Sequence, residues 1–333
     1  MSDKQLHSEN FNSSDIYISS QVFSQIIQNF DNLNIKEIEP TTKNINKNIY
    51  EGDLSIVIDE LVDFIFKELN EAVNNKLMKQ NVLNYIIKHK IILQEIYDWL
   101  LNNQNNSNSI YLLGYFIYNG IGTDSNSQKA IKLYHKAAEL ENIVAQIVLA
   151  DLYSLEKNAD KNYDKAFKLY KKLAEGGHAC GINNLGFCYE YGIGTNINKQ
   201  KAFELYQKVA DLGNSTGICN LGWCYYSGIG INVNMQKAFE LFQKSADLGN
   251  SIGMSYLGWC FLYGIGTNID KQKAFELYQK AANLENDVAQ YNLSSMYENG
   301  DGIEKNMDQA IYWCEKSAEQ GNKGAQNKLK ELK

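Results

Sequence analysis

Histidines, cysteines and glycine-rich loops are the residues of this sequence with the chemistry for catalysis or ligand binding. The four histidines, His7, His89, His135 and His178, stand in unrelated contexts. No Ser, Cys or carboxylate accompanies them at a spacing typical of a hydrolase or a metal site. We therefore expect no catalytic residue, no metal ligand and no cofactor.

The six cysteines do not form a zinc-binding pattern, because no C-x-x-C pair is present. The chain is long and shows no secretion signal, so we expect reduced thiols that serve as small core residues. Cys188, Cys224 and Cys260 are spaced by 36 residues, whereas Cys180, Cys219 and Cys314 fall elsewhere.

Gly-x-Gly sequences occur five times, but none reads G-x-x-x-x-G-K-[ST] and none follows a predicted strand, so a phosphate site is not indicated. Glycine supplies the positive φ of a tight reversal, and the central residue, usually Ile, can pack inward. These turns are Gly120–Gly122, Gly192–Gly194, Gly228–Gly230, Gly264–Gly266 and Gly300–Gly302.

A period of 36 residues runs through the sequence without an insertion. A Leu recurs seven times, a small residue follows it in the first six repeats, and an aromatic or Ile stands four residues on, one helical turn away. These positions define a first helix in each repeat, helix A. The Leu column is Leu113, Leu149, Leu185, Leu221, Leu257, Leu293 and Leu329.

A second helix, helix B, is indicated by an Ala column from Ala130 to Ala310, with an aromatic four residues later in most repeats. Four residues before each Ala stands an Asn or Asp, whose side chain can cap a helix start. These predicted caps are Asn126, Asn162, Asn198, Asn234, Asp270 and Asn306.

Together, Leu-Gly-x-x-Tyr, Gly-x-Gly, Asn/Asp-x-x-x-Ala and Lys-x-Ala resemble the Sel-one-like repeat family, a relative of the tetratricopeptide repeats. The resemblance covers about 107–322. It implies antiparallel helix pairs in a right-handed superhelix, A helices along the concave side, and a scaffold role in multiprotein complexes without enzymatic activity. In the second repeat Ser154–Ala159 replaces the glycine turn, which leaves that turn's geometry open.

The predicted fold class is therefore all-α, an α/α solenoid of about six helix-turn-helix repeats with helical caps at both ends. We expect an Asn- and Ser-rich flexible arm over 1–50 and an N-terminal helical segment over 51–106. Six repeats over 107–322 and a C-terminal capping helix over 323–333 complete the division.

Apolar residues recur at helical spacing from Leu54 to Leu101, which predicts two or three helices that pack on the first repeat before the polar linker Asn102–Ser109. This segment is similar to the region that joins fungal protein-kinase domains to Sel-one-like tails. The kinase catalytic loop and the metal-binding Asp-Phe-Gly are absent from the sequence.

Composition narrows the classes of partner. A net charge of −7 and a pI near 5.3 argue against nucleic acid, which needs a clustered positive surface. No apolar run has the length of a membrane span or a signal peptide, so we expect a cytoplasmic protein with no membrane insertion. Secreted, cysteine-rich members of the repeat superfamily use disulfides, and a bridge is the alternative if the chain is exported.

The helix A positions outside the Leu and aromatic columns form a second, largely aromatic stripe. They lie two residues before and two and five after the Leu. In the resembling family this face lines the concave groove, where aromatics beside Asn and Glu suit capture of a peptide or helix. The candidate partner-binding residues are Tyr111, Tyr115, Tyr118, Asn183, Phe187, Glu190, Trp223, Tyr226, Ser255 and Trp259.

An alternative for this stripe is that Trp223 and Trp259 pack between neighbouring A helices and only rigidify the array. For function, the first hypothesis is a non-enzymatic adaptor that binds a protein or peptide and no small-molecule substrate. The second is a regulatory module of a protein-kinase or cell-wall-synthesis pathway that acts through its N-terminal helices. An enzyme would require convergent titratable groups, which the repeats do not suggest.

Overall fold

The structure, a computed structural model, describes residues 51–71, 73–155 and 162–332. These residues form sixteen α-helices and no β-strand, which confirms the all-α prediction. They divide into two compact units, treated separately below, with the boundary between Val233 and Asn234. The predicted arm 1–50 and most of the irregular turn of the second repeat lie outside the described residues.

Three helices precede the repeats in the first unit: α1 (Glu51–Asn70), α2 (Asn75–Lys88) and α3 (Leu93–Asn102). Their buried residues, including Ile58, Ile65, Val82 and Ile96, join one core with those of the first repeat. The linker that follows is shorter than predicted, because the next helix already begins at Ser107.

The repeats of the first unit supply seven further helices, in which A and B helices alternate. They are α4 (Ser107–Asn119), α5 (Ser127–Glu139), α6 (Ile143–Leu155), α7 (Tyr163–Glu175), α8 (Ala179–Tyr191), α9 (Lys199–Asp211) and α10 (Ser215–Ser227). The A helices are therefore α4, α6, α8 and α10, and each packs against the B helix that follows it as far as α9.

The second unit continues the alternation with six helices. They are α11 (Met235–Asp247), α12 (Ser251–Tyr263), α13 (Lys271–Asn283), α14 (Asp287–Asn299), α15 (Met307–Glu319) and α16 (Lys323–Leu332). Helix α16 packs against α15 and has the position of an A helix.

Side-chain caps begin most of the B helices, as predicted. Asn126, for example, accepts a hydrogen bond from the backbone N–H of Lys129, three residues on, which satisfies one of the unpaired donors of the first turn. The same bond forms at Asn198, Asn234, Asp270 and Asn306. Asn162 was predicted as a cap but makes no such bond, so this prediction is wrong for the second repeat.

Positive φ angles at the paired glycines confirm the predicted turns. Gly192 and Gly194, with φ of 74° and 64°, end α8 in the left-handed region, and Ile193 between them is buried. Glycine is needed at position 194 for a second reason, because a Cβ there would overlap the carbonyl oxygen of Tyr163 on α7. The turn thus fixes how one repeat follows the previous one.

The small residue after each Leu lies where an A helix meets the aromatic ring of its B helix. A Cβ added at Gly186 would stand 2.9 Å from a ring carbon of Tyr206, and one at Gly114 equally close to Tyr134. Real Cβ atoms do not approach that closely, so a larger residue would separate the helices. The contact predicted from this column is confirmed.

Helix α1 does more than cover the first repeat, because it packs against α4, α6 and α8. At its end, the Asn70 side chain accepts a hydrogen bond of 3.2 Å from the Cys180 N–H, and its carbonyl oxygen accepts one of 2.8 Å from Asn214. Glu71, directly after the helix, accepts from the Ser215 hydroxyl at 2.9 Å. The segment therefore reaches the starts of α8 and α10.

Among the described helices, none is both long enough and apolar enough to cross a lipid bilayer.

Candidate functional site

The predicted residues of the first repeat lie in the core. Tyr111 is 0% exposed and packs against Tyr134 at 5.6 Å between ring centroids, and Tyr115 is 6% exposed. Burial raises the pKa of the Tyr115 hydroxyl, and the nearby carboxylate of Glu68 on α1 raises it further. The sequence pattern placed these rings on an open face, but α1 packs on that face. Tyr118 is half-buried.

The next predicted residues, on α8 and α10, remain reachable from solvent to different degrees. Asn183, Phe187 and Tyr226 are half-buried, whereas Trp223 is only 9% exposed. Trp223 packs on Tyr226 at 5.4 Å between ring centroids. We call the surface of Asn183, Phe187, Asn220, Trp223 and Tyr226 the A face of the first unit.

Glu190, the fifth predicted residue on these helices, is buried and serves the repeat itself. Its carboxylate accepts a hydrogen bond of 2.8 Å from the Tyr206 hydroxyl on α9. Burial raises the carboxyl pKa above its usual range, while bonds from Tyr191 and Tyr206 oppose that shift. Glu190 therefore joins helices A and B of the third repeat, and its side chain is 7% exposed.

Three half-buried polar residues of this region were missed from the sequence: Asp151, Asn184 and Asn220. Asn184 and Asn220 directly precede the Leu of their repeats, a position that holds Leu112 and Val148 in the two preceding repeats. Asp151 takes the position that Phe187 and Trp223 hold in the next repeats. These three residues could have been found in the sequence as polar residues at positions that are apolar or aromatic in neighbouring repeats. A search for aromatic residues alone did not detect them.

Asp151 sits among hydrogen-bond donors from two neighbouring helices. The Tyr170 hydroxyl on α7 donates to it at 2.5 Å, and the Asn184 amide on α8 lies at 3.4 Å. Although the residue as a whole is half-buried, burial of its carboxyl raises the pKa to about 7, and the bond from Tyr170 opposes the shift. The carboxyl therefore contacts both α7 and α8.

In the second unit the predicted residues are Ser255 and Trp259 on α12, which are 6% and 8% exposed. Trp259 packs edge-on against Tyr263, whose own ring is largely exposed. At the last repeat, Lys328 of α16 binds Ser295 at 2.8 Å and Glu298 at 2.6 Å, both on α14. Helix α16 thus contacts α14 at two of the positions that form the aromatic stripe in the other A helices.

The described part of the chain contains no group of three His, Cys, Asp or Glu side chains placed to hold a metal ion. All six cysteines are free thiols, and burial raises the pKa of Cys188 and of Cys260 to about 12. One open cleft of about 610 Å³ lies between Asn162–Asp164 and Gly192–Asn196. Its lining combines turn glycines and polar side chains with the acidic Asp164.

Comparison with known protein families matches the repeats over most of the chain. The Sel1 repeat family matches residues 107–142, 143–178, 181–214, 215–250, 251–286 and 287–322. The chain belongs to the Sel1 repeat family. Sel1 repeat proteins generally act as scaffolds for protein–protein interactions, and their family and fold are generally non-enzymatic.

Solved structures of other Sel1 proteins are similar to this one. A Sel1 repeat protein from Oxalobacter formigenes is 28% identical with a TM-score of 0.57, covering 70% of this chain and 94% of the other. The protective antigen c5321 of uropathogenic Escherichia coli, which has an SLR fold, is 27% identical with a TM-score of 0.48. That match covers 86% of this chain and 67% of the other. No curated protein matches at a significant level.

Proposed function

We propose that this Sel1 repeat protein is a non-enzymatic adaptor, cytoplasmic in location, whose A face in the first unit binds a partner protein. The observation that supports this is the half-buried combination of Phe187, Asn183 and Tyr226 beside the nearly buried Trp223. Interface anchors are commonly aromatic side chains surrounded by polar groups, with part of their surface left to cover.

The first repeat does not offer a comparable surface, because Tyr111 and Tyr115 are already buried in the core shared with α1. The proposed site therefore begins where α1 ends, at the level of α8. Ser255 and Trp259, in the second unit, are not part of the proposed site.

The test is affinity capture with the tagged full-length chain, comparing the wild type with Phe187→Ala combined with Asn183→Ala. Both side chains are half-buried, so the variant should keep its melting temperature within a few degrees while losing the captured partner. Tyr312→Ala, at an exposed aromatic of helix B, is the matched control and should retain the partner. Equal capture by all three proteins would contradict the proposal.

A regulatory module in a kinase or cell-wall-synthesis pathway is the second candidate. The contacts of Asn70 and Glu71 with α8 and α10 favour it, since they connect the N-terminal helices to the edge of the proposed site. Proximity labelling with the full chain would separate the two. Labelling of a kinase that is lost in Asn70→Ala combined with Glu71→Ala would support the regulatory role over a passive adaptor.

A further inference from the structure

Lysines form a basic face on the B helices of the first two repeats, α5 and α7. Each helix carries a Lys directly before the Ala column, a second three residues later and a third four residues after that, so the three share one helix face. Helix α6 packs against both helices, and all six side chains are exposed. We call these residues the lysine array: Lys129, Lys132, Lys136, Lys165, Lys168 and Lys172.

The next three repeats replace the middle Lys of this pattern by an acidic residue. Their B helices carry Glu204, Glu240 and Glu276 there, each with a Lys three residues before and four residues after it. Lys237, for example, lies 3.6 Å from Glu240. Opposite charges at these spacings stabilise a helix, whereas like charges destabilise it. The lysine array therefore departs from the repeat pattern in a direction that folding alone does not favour.

The charges at the centre of the array are not neutralised by the protein. Lys132 and Lys168 make no ion pair and no side-chain hydrogen bond with any other residue that the structure describes. Lys172 pairs with Glu141 at 2.6 Å, and Lys136 donates to a main-chain oxygen at 3.4 Å. The array therefore keeps most of its positive charge open to an anionic ligand.

The surroundings of the array limit the size of that ligand. Its first and third lysines are seven residues apart, which is roughly 10 Å along a helix. Carboxylates border it: Asp164 in the first turn of α7, Glu139 and Glu175 near the helix ends, and Glu204 on the next B helix. A duplex nucleic acid or a membrane surface would also cover these carboxylates, and the net charge of −7 would repel it. A short anionic segment can contact the lysines alone.

We propose that the lysine array binds an Asp- and Glu-rich segment of another protein. This surface lies on the B helices of the first two repeats, so it is separate from the A face and goes beyond the proposed function. Lysine ammonium groups are compact point charges without the planar fork of arginine, so the array selects for negative charge and tolerates either carboxylate side chain.

The test measures fluorescence anisotropy of labelled peptides with the full-length protein. The peptides have about twelve residues and alternate Gly or Ser with Glu, Asp or Gln. We expect the Glu and Asp peptides to bind with similar affinity and the Gln peptide to bind at least about tenfold more weakly. Added NaCl should weaken binding of the two acidic peptides because the lysines are exposed to solvent.

A charge reversal locates the site with little risk to folding. Lys132→Glu combined with Lys168→Glu gives both helices the pattern that the third, fourth and fifth repeats already have. This variant should keep its melting temperature and bind the Glu peptide at least about tenfold more weakly. Lys244→Glu combined with Lys280→Glu makes the same change in net charge at exposed lysines of the second unit and should retain binding. If the first variant does not fold, Lys132→Gln with Lys168→Gln should still weaken binding severalfold.

A gain of binding is expected from the opposite change. Glu204→Lys extends the array to the B helix of the third repeat and should strengthen binding of the Glu peptide severalfold. Glu240→Lys is the matched control, because it alters the net charge equally on a helix of the second unit. It should leave the affinity close to that of the wild type.

Several outcomes would overturn the inference. Equal losses in the two charge-reversal variants would mean that net charge alone governs binding. Loss of the Glu peptide in Phe187→Ala combined with Asn183→Ala would place the peptide on the A face. Tighter binding of duplex DNA, or of phosphatidylcholine vesicles containing phosphatidylserine, would replace the acidic segment by another class of partner. The proposed function is tested separately, since partner capture depends on Phe187 and Asn183 and not on the lysine array.

Discussion

Tyr206 on α9 donates a hydrogen bond of 2.8 Å to the buried carboxylate of Glu190 on α8, joining the two helices of the third repeat. In the fifth repeat, Tyr278 occupies the same column, yet its buried hydroxyl has no hydrogen-bond partner among the described residues. Two tyrosines of one column therefore differ in what their hydroxyl groups contribute.

Tyr206→Phe should lower the free energy of unfolding by about 1–3 kcal/mol, because the buried Glu190 carboxylate loses one of its hydrogen-bond donors. Tyr278→Phe should cost nothing or stabilise, since it removes a buried polar atom without a partner. Urea denaturation of both variants measures the difference. Equal losses in the two would mean that the Tyr206–Glu190 bond contributes nothing to stability.

Asp151 predicts a pH dependence of stability. Its pKa rises from 3.8 to about 7 in the folded protein, mainly through burial, so the folded protein keeps a proton that the unfolded chain has lost between those values. This contribution to stability is fully present below about pH 4 and is lost as the pH rises to about 7. Its neighbours are the Tyr170 hydroxyl and the Cys180 and Cys188 thiols.

Asp151→Asn should therefore flatten the profile of melting temperature against pH between 4 and 7 and raise stability most at the upper end. Tyr170→Phe, which removes the donor to the carboxylate but keeps the titrating group, should retain the slope. If the wild-type melting temperature instead rose with pH over this interval, and neither variant changed that slope, groups other than Asp151 would control the pH dependence.

Gly194 is predicted to be the more sensitive of two glycines with similar backbone angles. A Cβ at Gly194 would overlap the Tyr163 carbonyl oxygen, whereas one at Gly213, with φ of 77°, would meet nothing within 4 Å. Gly213→Ala should cost about 1–2 kcal/mol for the left-handed backbone alone. Gly194→Ala should cost more than about 3 kcal/mol, because the overlap adds to that penalty. Thermal melts of the pair provide the comparison.

The burial of Trp223 and Trp259 favours packing between helices over exposure in an open groove. Each is less than a tenth exposed, so replacement of either by Ala should lower the free energy of unfolding by about 3–5 kcal/mol. Phe187→Ala, at a half-buried ring, should cost less. If chemical denaturation showed Trp223→Ala to be as mild as Phe187→Ala, the ring would be a surface anchor.

We expect the buried thiols to be alkylated slowly in the native protein. Burial raises the pKa of Cys188 and Cys260 to about 12, which leaves little thiolate at pH 8. Iodoacetamide should therefore modify these two only when the protein is unfolded in urea, as mass spectrometry of digests would show. Rapid modification of Cys188 in the native state would mean that the third repeat opens readily.

The repeat pattern predicted the A and B helices, their turns and the contact of the small column with the B-helix ring, because each is decided within a few tens of residues. Leu185, Gly186 and Gly192–Gly194, for example, act through neighbours in their own or the preceding repeat. The failure at Asn162 is also local, since the turn before it departs from the pattern of the other repeats.

The candidate site was less predictable, because exposure depends on parts of the chain that the period does not include. Tyr111 and Tyr115 match the aromatic stripe in position, but α1 covers their face. Glu190 is engaged by Tyr206. The Asn184–Asp151 and Asn220–Asn183 contacts join side chains 33 and 37 positions apart. No single column of the sequence contains that information.

The end of α1 has a consequence for the order of events during synthesis. Its bonds to Asn214 and Ser215 join residues separated by 144 positions. Translation adds roughly 5–20 residues each second, so α1 leaves the ribosome many seconds before α10 exists. The early repeats can assemble from nearby contacts in that interval, and the last turn of α1 closes onto them only afterwards.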